Sequence, residues 1–158
     1  MTTKNIELPA IGQPFPGQGG IYAGFMPARN GAEGYHLILG DELPGRFEWG
    51  PYDDLAQATS LVDGLANTKA LLAADGTYPA AQGAAAHTAE GRADFYLPAA
   101  AELYEIWLNL NGKLAGWVWS SSQRSADSAF YVGFDDGNQH DTGKLYELRV
   151  RPVRRFIQ

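Results

Sequence analysis

Hard oxygen donors crowd one short stretch of this chain: Asp135, Asp136, Asn138 and Asp141 lie within seven residues, with His140 among them. Calcium takes roughly six to eight oxygens, and such a run begins to supply them. It departs, however, from the D-x-[DN]-x-[DN]-G spacing of an EF-hand and has no closing Glu. Turn-forming residues alone account for its composition, so a solvated hairpin tip is expected there, and no metal. The overlapping run from Gly137 to Lys144 misses a phosphate-binding loop twice. Five residues separate its glycines where four belong, and Leu145 stands where the magnesium-holding hydroxyl should be.

Nucleophile chemistry fares no better. Ser120-Ser121-Ser122 lacks the glycine-flanked elbow that presents a serine to its base, so a polar loop leaving a Trp-anchored strand is expected. The three histidines, His36, His87 and His140, are isolated, with no H-x-x-x-H pair to place two imidazoles on one helix face. His36, inside a hydrophobic strand, reads as a packed structural residue. The absence of cysteine removes thiolate zinc sites, disulfides and cysteine nucleophiles together. Asp53-Asp54 and Asp135-Asp136 are neighbours in sequence and so point apart in regular structure, which suits capping and turns better than paired acid–base work. Arg149, Arg151, Arg154 and Arg155 put a third of the 12 positive charges into the last ten residues. A polyanion site is one reading; ion pairs inside the fold are the preferred one. No catalytic residue and no cofactor is expected, and the chain does not read as an enzyme.

Composition narrows the class further. At 158 residues, 45% hydrophobic and 19% charged, the chain carries enough apolar material for one domain with a real core. Twelve Lys+Arg against 18 Asp+Glu leave a net charge of −6, which argues against nucleic acid as a partner. No run of about 18 apolar residues is present, so membrane insertion is not expected. Met1 to Pro9 lacks the basic start and apolar stretch of a secretory signal. Synthesis and retention in the cytoplasm, release by lysis, or origin as a fragment all fit that beginning.

The elements that would carry these residues follow from periodicity and punctuation. Residues 1–20, with three prolines and four glycines between Asn5 and Gly20, read as an extended lead-in or docking arm. Ile21–Met26 and Tyr35–Gly40 read as antiparallel strands around the Arg29–Gly34 turn. Asp53 or Asp54 caps a helix carrying Leu55, Leu61, Val62 and Leu65, with Asn67 capping a continuation through Leu72. Asp75–Gly91 reads as a long loop. A second helix starts after Pro98, with Leu103, Ile106, Trp107 and Leu110 at i, i+3, i+4, i+7 and a stop at Asn111-Gly112. Trp117–Ser120 and Ala129–Phe134 are strands, Asp135–Asn138 a turn, and Leu145–Phe156 a long strand with Pro152 at an edge or bulge. The order gives an α+β chain: two helices packed on a small, mainly antiparallel sheet that joins both termini.

Three segments then carry a likeness. Trp117-Val-Trp-Ser-Ser-Ser, Ala129-Phe-Tyr-Val-Gly-Phe-Asp-Asp-Gly-Asn and Leu148-Arg-Val-Arg-Pro-Val-Arg together resemble the DUF1566 family, also called the Legionella collagen-like protein C-terminal domain family. Phe95-Tyr-Leu-Pro-Ala-Ala-Ala-Glu-Leu is similar to its W-R-L-P-x-x-x-E-L helix start, with Phe95-Tyr96 in place of Trp-Arg. The likeness covers about Asp94 to Phe156 and implies a single C-type-lectin-like domain over residues 21–158. It implies a ligand face between the W-S-S and V-R-P-V-R strands: Ser121, Ser122, Gln123, Arg124, Ser125 and Asp127, then Asn138, Gln139, His140, Asp141 and Thr142. Small polar residues over a rigid scaffold suit that role. The calcium triplets of sugar-binding C-type lectins are absent, as are the cysteines of the sulfatase-modifying branch, so neither chemistry is implied. Relatives include adhesin tips, phage tail-fibre tips and the variable proteins of diversity-generating retroelements. The resemblance therefore implies a phage or prophage tail protein, located in the virion and binding a host cell-surface receptor, either glycan or protein. Other tail proteins, and copies of itself in a homotrimer, are the further partners implied. A structural cap or collar protein is the alternative, and a bacterial adhesin domain a third.

Overall fold

The computed structural model describes residues 6–158. The chain is α+β. Strands β1 (Pro14–Phe15), β2 (Gly20–Met26) and β3 (Tyr35–Leu39) come first, followed by helices α1 (Gly64–Ala73), α2 (Pro79–Ala86) and α3 (Ala100–Leu110). Strands β4 (Trp117–Gln123), β5 (Ser128–Gly133), β6 (Asn138–Gly143) and β7 (Val153–Phe156) complete it. They form two antiparallel sheets, β1-β2-β3-β7 and β4-β5-β6, so the amino- and carboxy-terminal strands do share one sheet. Among the described residues no helix is long and apolar enough to cross a membrane.

The first hairpin forms as its turn residues dictate. Asn30 and Gly31 take φ of 51° and 83°, and Arg29 and Ala32 exchange backbone hydrogen bonds of 3.0 and 2.9 Å. Residues 6–20 are no free arm. Phe15 is buried against Tyr22 and Phe156, the Gly17 and Gly19 amides donate to Glu90, and the buried Gln18 side chain accepts from Arg154. The apolar Phe15 and the unpaired edge of β2 draw the segment in; Met1–Asn5 lie outside the described residues. His36 packs between Tyr22, Phe25 and Phe156, with Nδ1 2.8 Å from the Tyr22 hydroxyl, and burial lowers its pKa.

Three expectations in the middle and end of the chain are corrected. Residues 53–63 form no helix: Leu55 is 70% exposed and Leu61 also faces solvent, while Ala56 and Ala58 are the buried residues, an alternation that is not a helical stripe. The cap is Asp63, whose Oδ1 accepts the Ala66 amide at 3.0 Å at the start of α1. Asn67 sits inside α1 and grips Ser60 from there, accepting its amide and donating to its carbonyl. Within the expected 75–91 loop lies α2, beginning at Pro79, with Ala80, Ala81 and Ala84 buried. Alanine is the best helix former and Pro suits the first turn, so the helix signal was compositional, without apolar periodicity. The long 145–156 strand is broken: Leu148 and Arg149 make single bridges to Phe47 and Val118, and only Val153–Phe156 pairs continuously. Pro152 has no N–H to donate to a ladder.

The predicted α3 is present, with Leu103, Ile106 and Leu110 buried and Gly112 at φ 80° just past the Asn111 cap. Both faces of β4–β5 are covered. Val118 and Val132 pack in a core with α3, Leu37 and Leu39, while Trp119 and Ala129 pack with Trp49, Tyr78 and Val150. Sheet β4-β5-β6 is thus a middle layer, left to solvent along β6 and at Trp117, the open end of β4.

Candidate functional site

The segments packed against β4 decide the fate of the W-S-S segment. Ser121, Ser122 and Gln123 are buried and spend their polar atoms on the fold. Ser121 Oγ accepts from Asn67 Nδ2 at 3.2 Å. Ser122 Oγ donates to the Ser60 carbonyl and accepts the Ala100 amide at the start of α3. Gln123 Oε1 accepts from the Ala56 amide (2.7 Å) and Lys144 Nζ (2.8 Å), while its Nε2 donates to the Ala56 carbonyl (3.2 Å). These three residues are a polar seam stitching the irregular 54–61 segment to the sheet, and the expectation that they face a ligand is corrected. Gln123→Ala leaves several buried groups unpaired, at about 1–3 kcal/mol each. Arg124→Ala and His140→Ala, on exposed side chains, stay within about 0.5 kcal/mol. Urea unfolding of the three variants checks this order.

The remaining expected site residues do reach the surface. Arg124 is exposed, with Nε 3.6 Å from the Asp141 carboxylate. Asp127 is exposed, and Ser125 closes the β4–β5 turn by accepting the Ser128 amide. Asn138, Gln139 and His140 are exposed, and Asp141 and Thr142 half-buried. They form the outer strand β6, paired with β5 from Ser128↔Gly143 to Gly133↔Asn138, where a loop was expected. The turn itself is Phe134–Gly137. Its carboxylates serve it: Asp136 Oδ1 accepts the Asn138 amide and Asp135 Oδ2 accepts the Gly116 amide. Among the described residues no three His, Asp or Glu side chains converge as metal ligands.

Beside Thr142 opens a cleft of about 600 Å³ that sequence reasoning missed. Trp117 and Tyr146, 53% and 67% exposed, line it together with Arg46, Glu147 and Arg149. Trp117 stacks on Tyr131 (ring centroids 4.6 Å apart, 21°), and Tyr131 on His140 (6.3 Å, 29°). An aromatic row therefore runs from the cleft across the sheet to the expected polar face. Trp117 and Trp119 share a strand face, and only position separates them: Trp119 lies over the core, Trp117 at the open end. The cleft's charges are mixed. Arg149 Nη1 donates to the Ala115 carbonyl (2.7 Å) and its Nε is 3.9 Å from Glu42, while Arg46 and Glu147 are exposed. Stacking planes, guanidinium donors and a carboxylate acceptor suit binding of a ligand.

The other arginines belong to the fold. Arg154 is buried and holds Asp94 through two bonds of 2.7 and 3.2 Å, and this bonding keeps the Asp94 carboxyl below its usual range. Arg151 donates to the Gly40 carbonyl. Arg155 lies 4.1 Å over the Tyr35 ring, donates to Asp63 (2.8 Å) and to the Tyr96 hydroxyl (3.1 Å). Next to it is a buried carboxylate that periodicity alone did not single out. Glu102 Oε1 accepts the Gly64 and Ala99 amides (2.9 and 3.0 Å), and Oε2 accepts the Tyr35 and Tyr96 hydroxyls (2.7 and 2.5 Å). Burial pushes its carboxyl up, against the pull of these donors and of Arg155, and burial likewise raises both tyrosines. Both oxygens are occupied and closed from solvent, so this is a structural hub. It is the Glu of the L-P-x-x-x-E-L segment. No family model matches this chain, and no curated protein matches it.

Proposed function

We propose that this chain is a non-enzymatic recognition domain of C-type-lectin-like fold, acting as a receptor-binding protein of a phage or prophage tail. The observation that carries the reading is the cleft of Trp117 and Tyr146 beside the polar outer strand β6. Two large aromatic side chains stay in solvent where the core has no use for them, the usual mark of a contact surface. The fold reading draws on both termini sharing a sheet, on the buried W-S-S strand, and on Glu102 anchoring the L-P-x-x-x-E-L helix start. The ligand face becomes Trp117, Tyr146, Arg46, Arg124, His140 and Thr142, and its partner is a glycan or protein on the host cell surface. Other tail proteins hold the domain in the virion, and a homotrimer would multiply weak single-site binding. The alternative is a cap or collar protein whose residues 5–20 act as an arm that docks on a neighbour; residues 6–20 pack instead on this chain's own β2 and Arg154, which favours the recognition reading.

The test is binding of fluorescently labelled protein to a panel of bacterial strains, with and without chelator. Strain-selective labelling that survives the chelator is expected. Trp117→Ala with Tyr146→Ala should abolish it while costing only the ~1 kcal/mol of the Tyr131 stack. A folded protein that labels no strain, or a double variant that labels like the parent, overturns the assignment.

A further inference from the structure

Lys144, immediately after β6, is fully buried. Among the described residues no ion pair joins it to a carboxylate, since the Asp54 carboxylate takes the Tyr78 hydroxyl instead (3.0 Å). Its Nζ donates to the Asp54 carbonyl (2.6 Å) and to Gln123 Oε1 (2.8 Å), and stands 4.9 Å from the centre of the Trp49 ring. Its bonded acceptors are neutral, a costly setting for a cation, and burial lowers the lysine pKa against the opposing pull of the nearby Asp54 and Asp127 carboxylates. An apolar side chain of similar volume would avoid that cost, so the ammonium is explained by what it ties together. Its backbone adds two ties: the Lys144 amide donates to the Asp127 carbonyl (2.9 Å), and its carbonyl accepts the Trp49 amide (2.9 Å). Four stretches thus meet at one residue: the 49–56 segment, the end of β4, the 124–128 turn, and the 143–146 turn closed by the Tyr146 amide on the Gly143 carbonyl (3.1 Å). The 51–58 segment contains no helix or strand, and Asp53 holds φ 59° within it, a conformation non-glycine residues seldom take. Tyr146, two residues beyond Lys144, lines the cleft.

We propose that Lys144 is a positioning residue for the recognition cleft: its ammonium pins the 49–56 segment and the end of β4 to the end of β6, and so holds Tyr146 in the cleft wall. This rests on the recognition reading. The experiment compares Lys144→Met and Trp117→Ala in the full chain by amide hydrogen exchange and by titration onto a strain that the parent labels. Lys144→Met keeps one cooperative melt, exchanges the amides of 51–58 about tenfold faster, and loses about tenfold in affinity for the cells. Trp117→Ala loses affinity with exchange in 51–58 unchanged. Faster exchange at parental affinity overturns the link to the cleft, and unchanged exchange overturns the tether. If Lys144→Met does not fold, amine acylation of the parent decides the tether: Lys69 and Lys113 react and Lys144 stays unmodified in the native state, whereas its modification there overturns the proposal. A folded parent that labels no strain sinks the recognition reading, and the positioning role with it, whatever exchange shows.

Discussion

Glu102→Ala should lose about 3–5 kcal/mol of stability, the scale of breaking a buried charged network by removing one partner. Four donors converge on this carboxylate from three places: the backbone at the start of α1, the backbone before α3, and the hydroxyls of Tyr35 on β3 and Tyr96 before α3. Alanine leaves all four buried without acceptors, and removes a carboxylate that lies near the Arg155 guanidinium. Water cannot step in easily, because the backbone already crowds the site: a Cβ on Gly64 would come within 2.5 Å of Glu102 Oε1. Glu102→Gln keeps the shape and one oxygen, and should lose less, about 1–3 kcal/mol. Against a typical total of about 5–15 kcal/mol, the alanine variant sits near the edge of folding. Urea denaturation of both variants checks the order. Parental midpoints for both would show that the hub holds nothing.

Trp119→Ala should cost about 3–5 kcal/mol, the range for truncating a fully buried aromatic. Trp119 is 0% exposed, packs in one core with Trp49, Leu148 and Val150, and donates Nε1 to the Phe47 carbonyl at 2.7 Å. Its loss opens a cavity between the sheet and the 43–49 segment and removes one of the two hydrogen bonds to the Phe47 carbonyl, which keeps the Leu148 amide (2.9 Å). Trp117→Ala, two residues away on the same strand face, should cost only the ~1 kcal/mol of its stack. A melting temperature for Trp119→Ala equal to that of the parent would contradict its place in the core. The pair separates a tryptophan that holds the fold from one that is available to a ligand.

The legibility of the chain tracks the range of the interactions involved. The β2–β3 hairpin and α3 could be read directly because local chemistry carries them: Asn30-Gly31 favours positive φ, and Leu103, Ile106 and Leu110 repeat at helical spacing. Helix α2 was missed because an alanine-rich helix has no apolar stripe to detect, though propensity and Pro79 were both present. The expected 53–72 helix is present over its second half, as α1 from Gly64, and absent over 53–63, where Leu55 and Leu61 have no face to receive them. Of the four carboxy-terminal arginines, Arg154 and Arg155 form the ion pairs that an acidic chain makes plentiful, Arg151 holds the Gly40 carbonyl, and Arg149 lines the cleft.

The ligand face shows the same division more sharply. Ser121, Ser122 and Gln123 are chemically indistinguishable in sequence from Ser125 or Asn138, all being small or polar residues near turns. Burial separates them, and burial depends on α1, α3 and the 54–61 segment, which arrive from as many as 67 positions away. The sequence by itself determined the α+β class, the Asn30-Gly31 turn, the Asn111-Gly112 stop of α3, the Trp-anchored strands and the lack of familiar catalytic spacings, because each follows from near neighbours and composition. The tertiary structure alone decided which serines are seam and which polar residues are surface, that Glu102 and Lys144 are buried hubs, and that Trp117 meets Tyr146 in a cleft. Those outcomes are set by which distant segments bring acceptors, donors and apolar walls to a residue, and no local pattern encodes that geometry.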